Sequence, residues 1–159
     1  MRRGLWVLCF FAAVWAVAGV LVDGAPTWWI GPPIVLSGAI LIFALRRAGS
    51  PQESAPHVGR LIGTWSAIEG IAMFLAANVL VNLHLRQAIM PVLAIIVGVH
   101  FLPLARGIPA RLYYATGAAL IVIGIVALIA PPWHLPLLVG GAAAAILWAS
   151  AAASVLGAR

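Results

Sequence analysis

The segment Arg60–Arg106, RLIGTWSAIEGIAMFLAANVLVNLHLRQAIMPVLAIIVGVHFLPLAR, holds two long apolar runs either side of the polar turn Asn82-Leu83-His84-Leu85-Arg86-Gln87. Each run is close to the roughly 20 residues an α-helix needs to cross a hydrocarbon core about 30 Å thick. One titratable side chain interrupts each run, Glu69 in the first and His100 in the second. Taking Leu85 as the turn, Glu69 stands 85 − 69 = 16 residues before it and His100 stands 100 − 85 = 15 after it. At about 1.5 Å rise per residue, two antiparallel helices bring both side chains to nearly one depth. A charged group at mid-span costs on the order of 2.5–3.5 kcal/mol on insertion scales. Two groups at one level offset part of that cost by sharing a proton or a hydrogen bond. The rotation of each helix about its axis decides whether they meet, and spacing leaves that open.

Composition extends this reading to the whole chain. Hydrophobic residues make up 65% and charged residues 8%, with a mean hydropathy of +1.15, whereas a soluble domain carries roughly 25% charged residues. So little polar surface cannot cover a core in water, and lipid is the expected solvent. A span with its loop takes about 25 residues, so 159 residues hold six spans and no globular domain. The expected fold is all-α and polytopic: a single integral membrane domain of six transmembrane helices in three antiparallel hairpins. The expected spans are about 4–22, 29–45, 61–82, 88–105, 112–130 and 135–156.

The formal charge is +6, and all nine basic residues are arginines set singly or in pairs between apolar runs. That pattern is a topology signal rather than a solvated basic face, so no nucleic-acid partner is expected. With the N-terminus inside, Arg2, Arg3, Arg46, Arg47, Arg60, Arg106, Arg111 and Arg159 are cytoplasmic and only Arg86 is outside. This excess predicts a multi-pass protein of the inner (plasma) membrane with both termini cytoplasmic. Met1-Arg2-Arg3 before Gly4–Val22 resembles a signal peptide. The apolar run, however, exceeds the usual h-region of about 7–15 residues and is read as a retained first span. Cys9, the sole cysteine, lies within that run and is read as a small packing residue.

Along the chain, Ala12, Ala16 and Gly19 form a small-residue stripe for close helix contact, and Gly141, Ala145, Ala149 and Ala152 form another in the sixth span. Trp28-Trp29 and Tyr113-Tyr114 read as interfacial anchors. Pro32-Pro33 open the second span, where missing amide donors cost least. Ala48–Gly59, with Glu53 and His57, is the longest polar loop, and Pro131-Pro132-Trp133-His134 is a tight turn. Prolines 33, 91 and 136 each start the second helix of a hairpin, a pattern that either a threefold duplication or biased composition produces.

Around Glu69, Trp65 at i−4, Ser66 at i−3 and Met73 at i+4 share its helix face. With His100 they form the candidate ligand-binding set, since intramembrane ionisable groups are functional hypotheses by default. A hydrogen-bonded carboxyl that only fixes helix packing is the structural alternative. Asn78 and Asn82 lie about 180° round the helix from Glu69 and are read as interhelical hydrogen-bonding groups. His84 and His134 fall in outer turns without a carboxylate or thiol set, and haem ligation needs two intramembrane histidines where only His100 qualifies. No metal, haem or other cofactor is therefore expected. No GxSxG, HExxH or phosphate-binding loop occurs, so the expectation is a non-enzyme with no catalytic residue.

Val97-Gly98-Val99-His100-Phe101-Leu102-Pro103-Leu104, within a compact six-span layout, resembles small bacterial inner-membrane proteins of uncharacterised function. Trp28-Trp29 followed by Pro32-Pro33, Trp65-Ser66 opening the third span, and short loops resemble the insulin-induced-gene (Insig) sterol sensors. That resemblance implies a six-span bundle holding a lipid. The acidic residue that animal members carry before their fifth span has no counterpart between Arg106 and Arg111, so regulation by a partner is not implied. Two functions are consistent with these residues. One is a membrane protein whose intramembrane cavity binds or senses a lipid or other apolar ligand at Glu69 and His100. The other is a small proton-coupled transporter working as a homo-oligomer, for which Pro103 is the candidate interruption of a span.

Overall fold

The computed structural model describes residues 2–47, 56–107, 111–130 and 135–156. Six α-helices account for nearly all of them: α1 Arg2–Asp23, α2 Gly31–Arg47, α3 Pro56–Asn82, α4 Ile89–Gly107, α5 Arg111–Ile129 and α6 Leu135–Leu156. Single 3-10 turns at Thr27–Ile30 and Arg86–Ala88 lead into α2 and α4, and no strand occurs among the described residues. All six helices are long and apolar enough to cross a membrane. The protein is an all-α, multi-pass membrane protein. Expected turns or charges at 48–55 and Pro131–His134, and Arg159, lie outside the described residues, as do the side chains of Arg2, Arg3 and His57.

Helix boundaries follow local chemistry. α3 starts at Pro56 rather than 61, which draws His57 out of the expected loop and takes Arg60 into the helix. Proline suits that first turn because its missing N–H has no intrahelical acceptor to lose. α2 ends on Arg46-Arg47 and α4 carries Arg106 in its last turn, where cations meet the partial negative charge of the helix C-terminus. The Arg47 guanidinium lies 4.5 Å from the centre of the Phe43 ring, a cation–π contact. Pro103 does not terminate α4, which continues to Gly107.

Two helices close with the same hydrogen-bonded turn. At the end of α1, Ala25 N donates to Val20 O at 3.1 Å and Gly24 N to Leu21 O at 3.4 Å. At the end of α3, Leu85 N donates to Leu80 O at 2.8 Å and His84 N to Val81 O at 3.1 Å. These are Schellman caps, whose pivot residue is left-handed. Gly24 takes φ 74° without strain, whereas His84 takes φ 57° with a side chain. The expected outer-turn role of His84 is thus overlaid by a backbone one.

The helices fall into two compact units, residues 1–53 with 136–159 and residues 54–135. In the first unit, α1 buries Leu5, Leu8, Cys9, Ala12, Trp15, Ala16 and Val20, a three-and-four spacing that keeps one face inward. Gly19 and Gly140 bring α1 and α6 together, because a methyl group on Gly140 would stand 2.6 Å from the Trp15 carbonyl. The α1 stripe behaves as expected, but the α6 stripe does not. Gly141 has open space around it, and the buried row is Val139, Ala143, Ala144, Leu147 and Ala151. α6 is apolar all round, so small residues on several rows compete, and only the partner selects one. Trp148 Nε1 donates to Ser37 Oγ at 2.8 Å and ties α6 to α2.

In the second unit, α4 packs against both α3 and α5. Ala94, Val97, Phe101, Leu104 and Ala105 of α4, and Thr116, Gly117, Leu120, Gly124 and Ala127 of α5, are buried at the same spacing. A methyl group on Gly98 would stand 2.7 Å from the Gly117 carbonyl, so the two backbones touch. Lipid tails are as apolar as leucine, and this close approach supplies dispersion energy that hydrophobic transfer does not. Tyr113 turns inward onto Phe101, with ring centres 5.7 Å apart, while Tyr114 stays exposed. Within the second unit α5 packs on α4, and within the first α6 packs on α1.

Candidate functional site

The α3–α4 pair brings Glu69 and His100 together. Adjacent residues on α4 divide its two neighbours: Phe101 packs toward Tyr113 of α5, while His100, about 100° round the helix, turns toward α3. His100 Nδ1 lies 3.5 Å from Glu69 Oε2 and 3.2 Å from the Trp65 carbonyl oxygen. A carbonyl only accepts, so the shorter contact requires the proton on Nδ1, which donates to Trp65 O. Nε2 of the neutral ring is then an acceptor. Glu69 stands further from Nδ1, at ion-pair distance, and its side chain remains 15% exposed against 9% for His100.

Both residues open onto a groove of about 210 Å³ between α3 and α4. Its walls are Trp65, Ile68 and Ala72 from α3 and Ile95, Ile96 and Val99 from α4, and they are almost wholly apolar. The volume is below the roughly 300–1,000 Å³ of pockets that enclose a drug-sized ligand. One side is open, which suits one end of an elongated molecule. No residue in the apolar stretch of α3 is buried, so the groove is reached sideways along that helix.

Three of the five expected site residues, Glu69, His100 and Trp65, meet here, although Trp65 contributes its carbonyl as well as its ring. Ser66 is exposed, Met73 is half-buried, and neither lines the groove. On the α3 helical wheel, Ser66 and Met73 flank Glu69 on one side, while Trp65, Ile68 and Ala72 flank it on the other. α4 covers only the second side. Ile68, Ala72, Ile95, Ile96 and Val99 were not singled out because aliphatic residues in a span look alike until the partner helix is placed.

Asn78, Asn82, Thr116 and Ser150 each bond to a carbonyl of their own helix. Asn78 Nδ2 donates to Phe74 O at 2.7 Å and Asn82 Nδ2 to Asn78 O at 2.9 Å, both exposed. These bonds to i−4 carbonyls replace the interhelical ones expected of them. Thr116 and Ser150 likewise donate to Leu112 O at 3.0 Å and Ile146 O at 2.8 Å. Among the described residues, no three His, Cys, Asp or Glu side chains come together in a metal-binding group. No family model, curated protein or solved structure matches the chain.

Proposed function

We propose that this protein binds or senses an apolar ligand in the membrane, holding one end of it in the α3–α4 groove against Glu69 and His100. The reading includes placement in a cytoplasmic membrane with both termini inside, which the arginine distribution favours. One observation carries it: a carboxyl–imidazole pair faces an apolar groove on a helix that the protein does not cover. A group that only fixed helix packing would be enclosed by its partners. Among the described residues this carboxyl has a single polar contact, at 3.5 Å, and it opens onto the groove. The transporter alternative draws on the same carboxyl, but α4 runs unbroken through Pro103 and offers it no interrupted span.

Native mass spectrometry of gently solubilised protein tests the proposal. Wild type is expected to carry a defined one-to-one adduct. Ala72→Trp, which fills the groove and leaves Glu69 and His100 in place, is expected to lose it. A random distribution of adducts, the same in wild type and variant, removes the dedicated site.

A further inference from the structure

Resting on that reading, we infer that the groove takes a lipophilic amine: an apolar chain ending in a basic nitrogen that donates hydrogen bonds to Glu69.

The polar atoms around the groove determine the class. The proton on His100 Nδ1 goes to Trp65 O at 3.2 Å, and Glu69 Oε2 lies 3.5 Å from the same nitrogen. What remains is the Glu69 carboxyl, with one acidic O–H to give and only acceptors once that proton has left, beside the acceptor His100 Nε2. A site whose one free donor is an acidic O–H complements a base that takes that proton and then donates back to the carboxylate. Phosphate, carboxylate, carbonyl and hydroxyl head groups are too weakly basic to take the proton and leave no charge pair. A hydroxyl donates once, whereas an ammonium donates up to three times and adds charge attraction to the carboxylate. Trp65, in the wall beside Glu69, offers an aromatic surface that favours a nearby cation.

Depth and volume select further. Glu69 lies roughly 15 Å along the helix axis from Gly59 and further from Asn82, well below the head-group level. A permanently charged head pays heavily to reach that depth, whereas a neutral amine dissolves in lipid and arrives sideways. On arrival its lone pair takes the carboxyl proton: the O–H bond breaks, an N–H bond forms, and an ammonium–carboxylate pair remains. The 210 Å³ groove holds about seven water volumes of ~30 Å³. That is enough for the nitrogen and the first few methylenes, while the rest of the chain lies along α3 in lipid.

Photolabelling in lipid nanodiscs tests this with a diazirine-bearing dodecylamine, competed by unlabelled dodecylamine, dodecanol or dodecanoic acid. The amine is expected to label residues 65–72 and 95–100 saturably, with the alcohol and the acid at least about tenfold weaker as competitors. Glu69→Gln is expected to weaken the amine at least about tenfold while leaving the alcohol unchanged. Glu69→Asp, which keeps the acid, takes its place if the Gln variant does not fold, and is expected to retain preference for the amine. Competition by the alcohol or acid equal to that by the amine overturns the amine assignment and leaves the groove as a site. Labelling that never saturates, or that survives Ala72→Trp, overturns both.

Discussion

A carboxyl group halfway along an apolar helix must share its proton, find a donor or leave the lipid, and in this protein Glu69 finds His100 at 3.5 Å. The contact is long because the imidazole proton goes to Trp65 O at 3.2 Å. Glu69→Leu and His100→Leu are each expected to destabilise the detergent-solubilised protein by about 1–3 kcal/mol, the cost of stranding one buried polar group. The double variant is expected to lose less than the sum, since two apolar replacements leave nothing unpaired. Thermal melts of the four proteins read the coupling directly, and losses that add within about 0.5 kcal/mol show that the two residues are not partners. Half of this pairing was legible in advance: equal distances from the turn give equal depth. Rotation was not, because it depends on which flank of α3 meets α4. Ser66 and Met73 therefore stood with Trp65 as equals until the helices were placed. The Trp65 carbonyl was invisible for another reason, since every helical carbonyl is assigned to its own helix until a side chain approaches it.

At the level of the helices, contact is made where glycine permits it. Gly98→Ala places a methyl group against the Gly117 carbonyl and is expected to cost about 1–3 kcal/mol by overpacking. Gly63→Ala meets open space and is expected to be neutral or to gain up to about 1 kcal/mol of helix propensity. The caps give a matched pair of opposite sign. Gly24→Ala is expected to lose, and His84→Gly to gain, about 1 kcal/mol, because each exchanges a side chain at a left-handed residue. Circular-dichroism melts in mild detergent check all four. Equal shifts for Gly98→Ala and Gly63→Ala contradict the close α4–α5 contact. Helix ends were largely readable because proline, glycine and arginine punctuate them. The packing row of α6 was not, since Gly140 and Gly141 are adjacent and a helix apolar on every side carries no pattern to separate them.

For the molecule as a whole, hydropathy and length were enough to find six spans, because lipid leaves a helix few ways to satisfy its backbone. Which helices pair was not encoded in the same terms. α6 packs on α1 through Gly19 and Gly140, a meeting of glycines far apart in the chain that loop length does not reveal. The same limit applies to the groove, whose existence depends on α4 covering only one flank of α3. Under the proposed function this groove is filled from the lipid rather than from water, which separates a site for an apolar ligand from a proton path. Ile68 and Val99, on its two walls, are both substantially exposed, at 48% and 50%. Nitroxides placed there one at a time, in a Cys9→Ala background lacking the sole native cysteine, report their surroundings by power-saturation electron paramagnetic resonance in liposomes. A groove filled from lipid gives strong relaxation by oxygen and little by a water-soluble nickel chelate at both positions; strong relaxation by the nickel chelate at either one shows that water fills it instead.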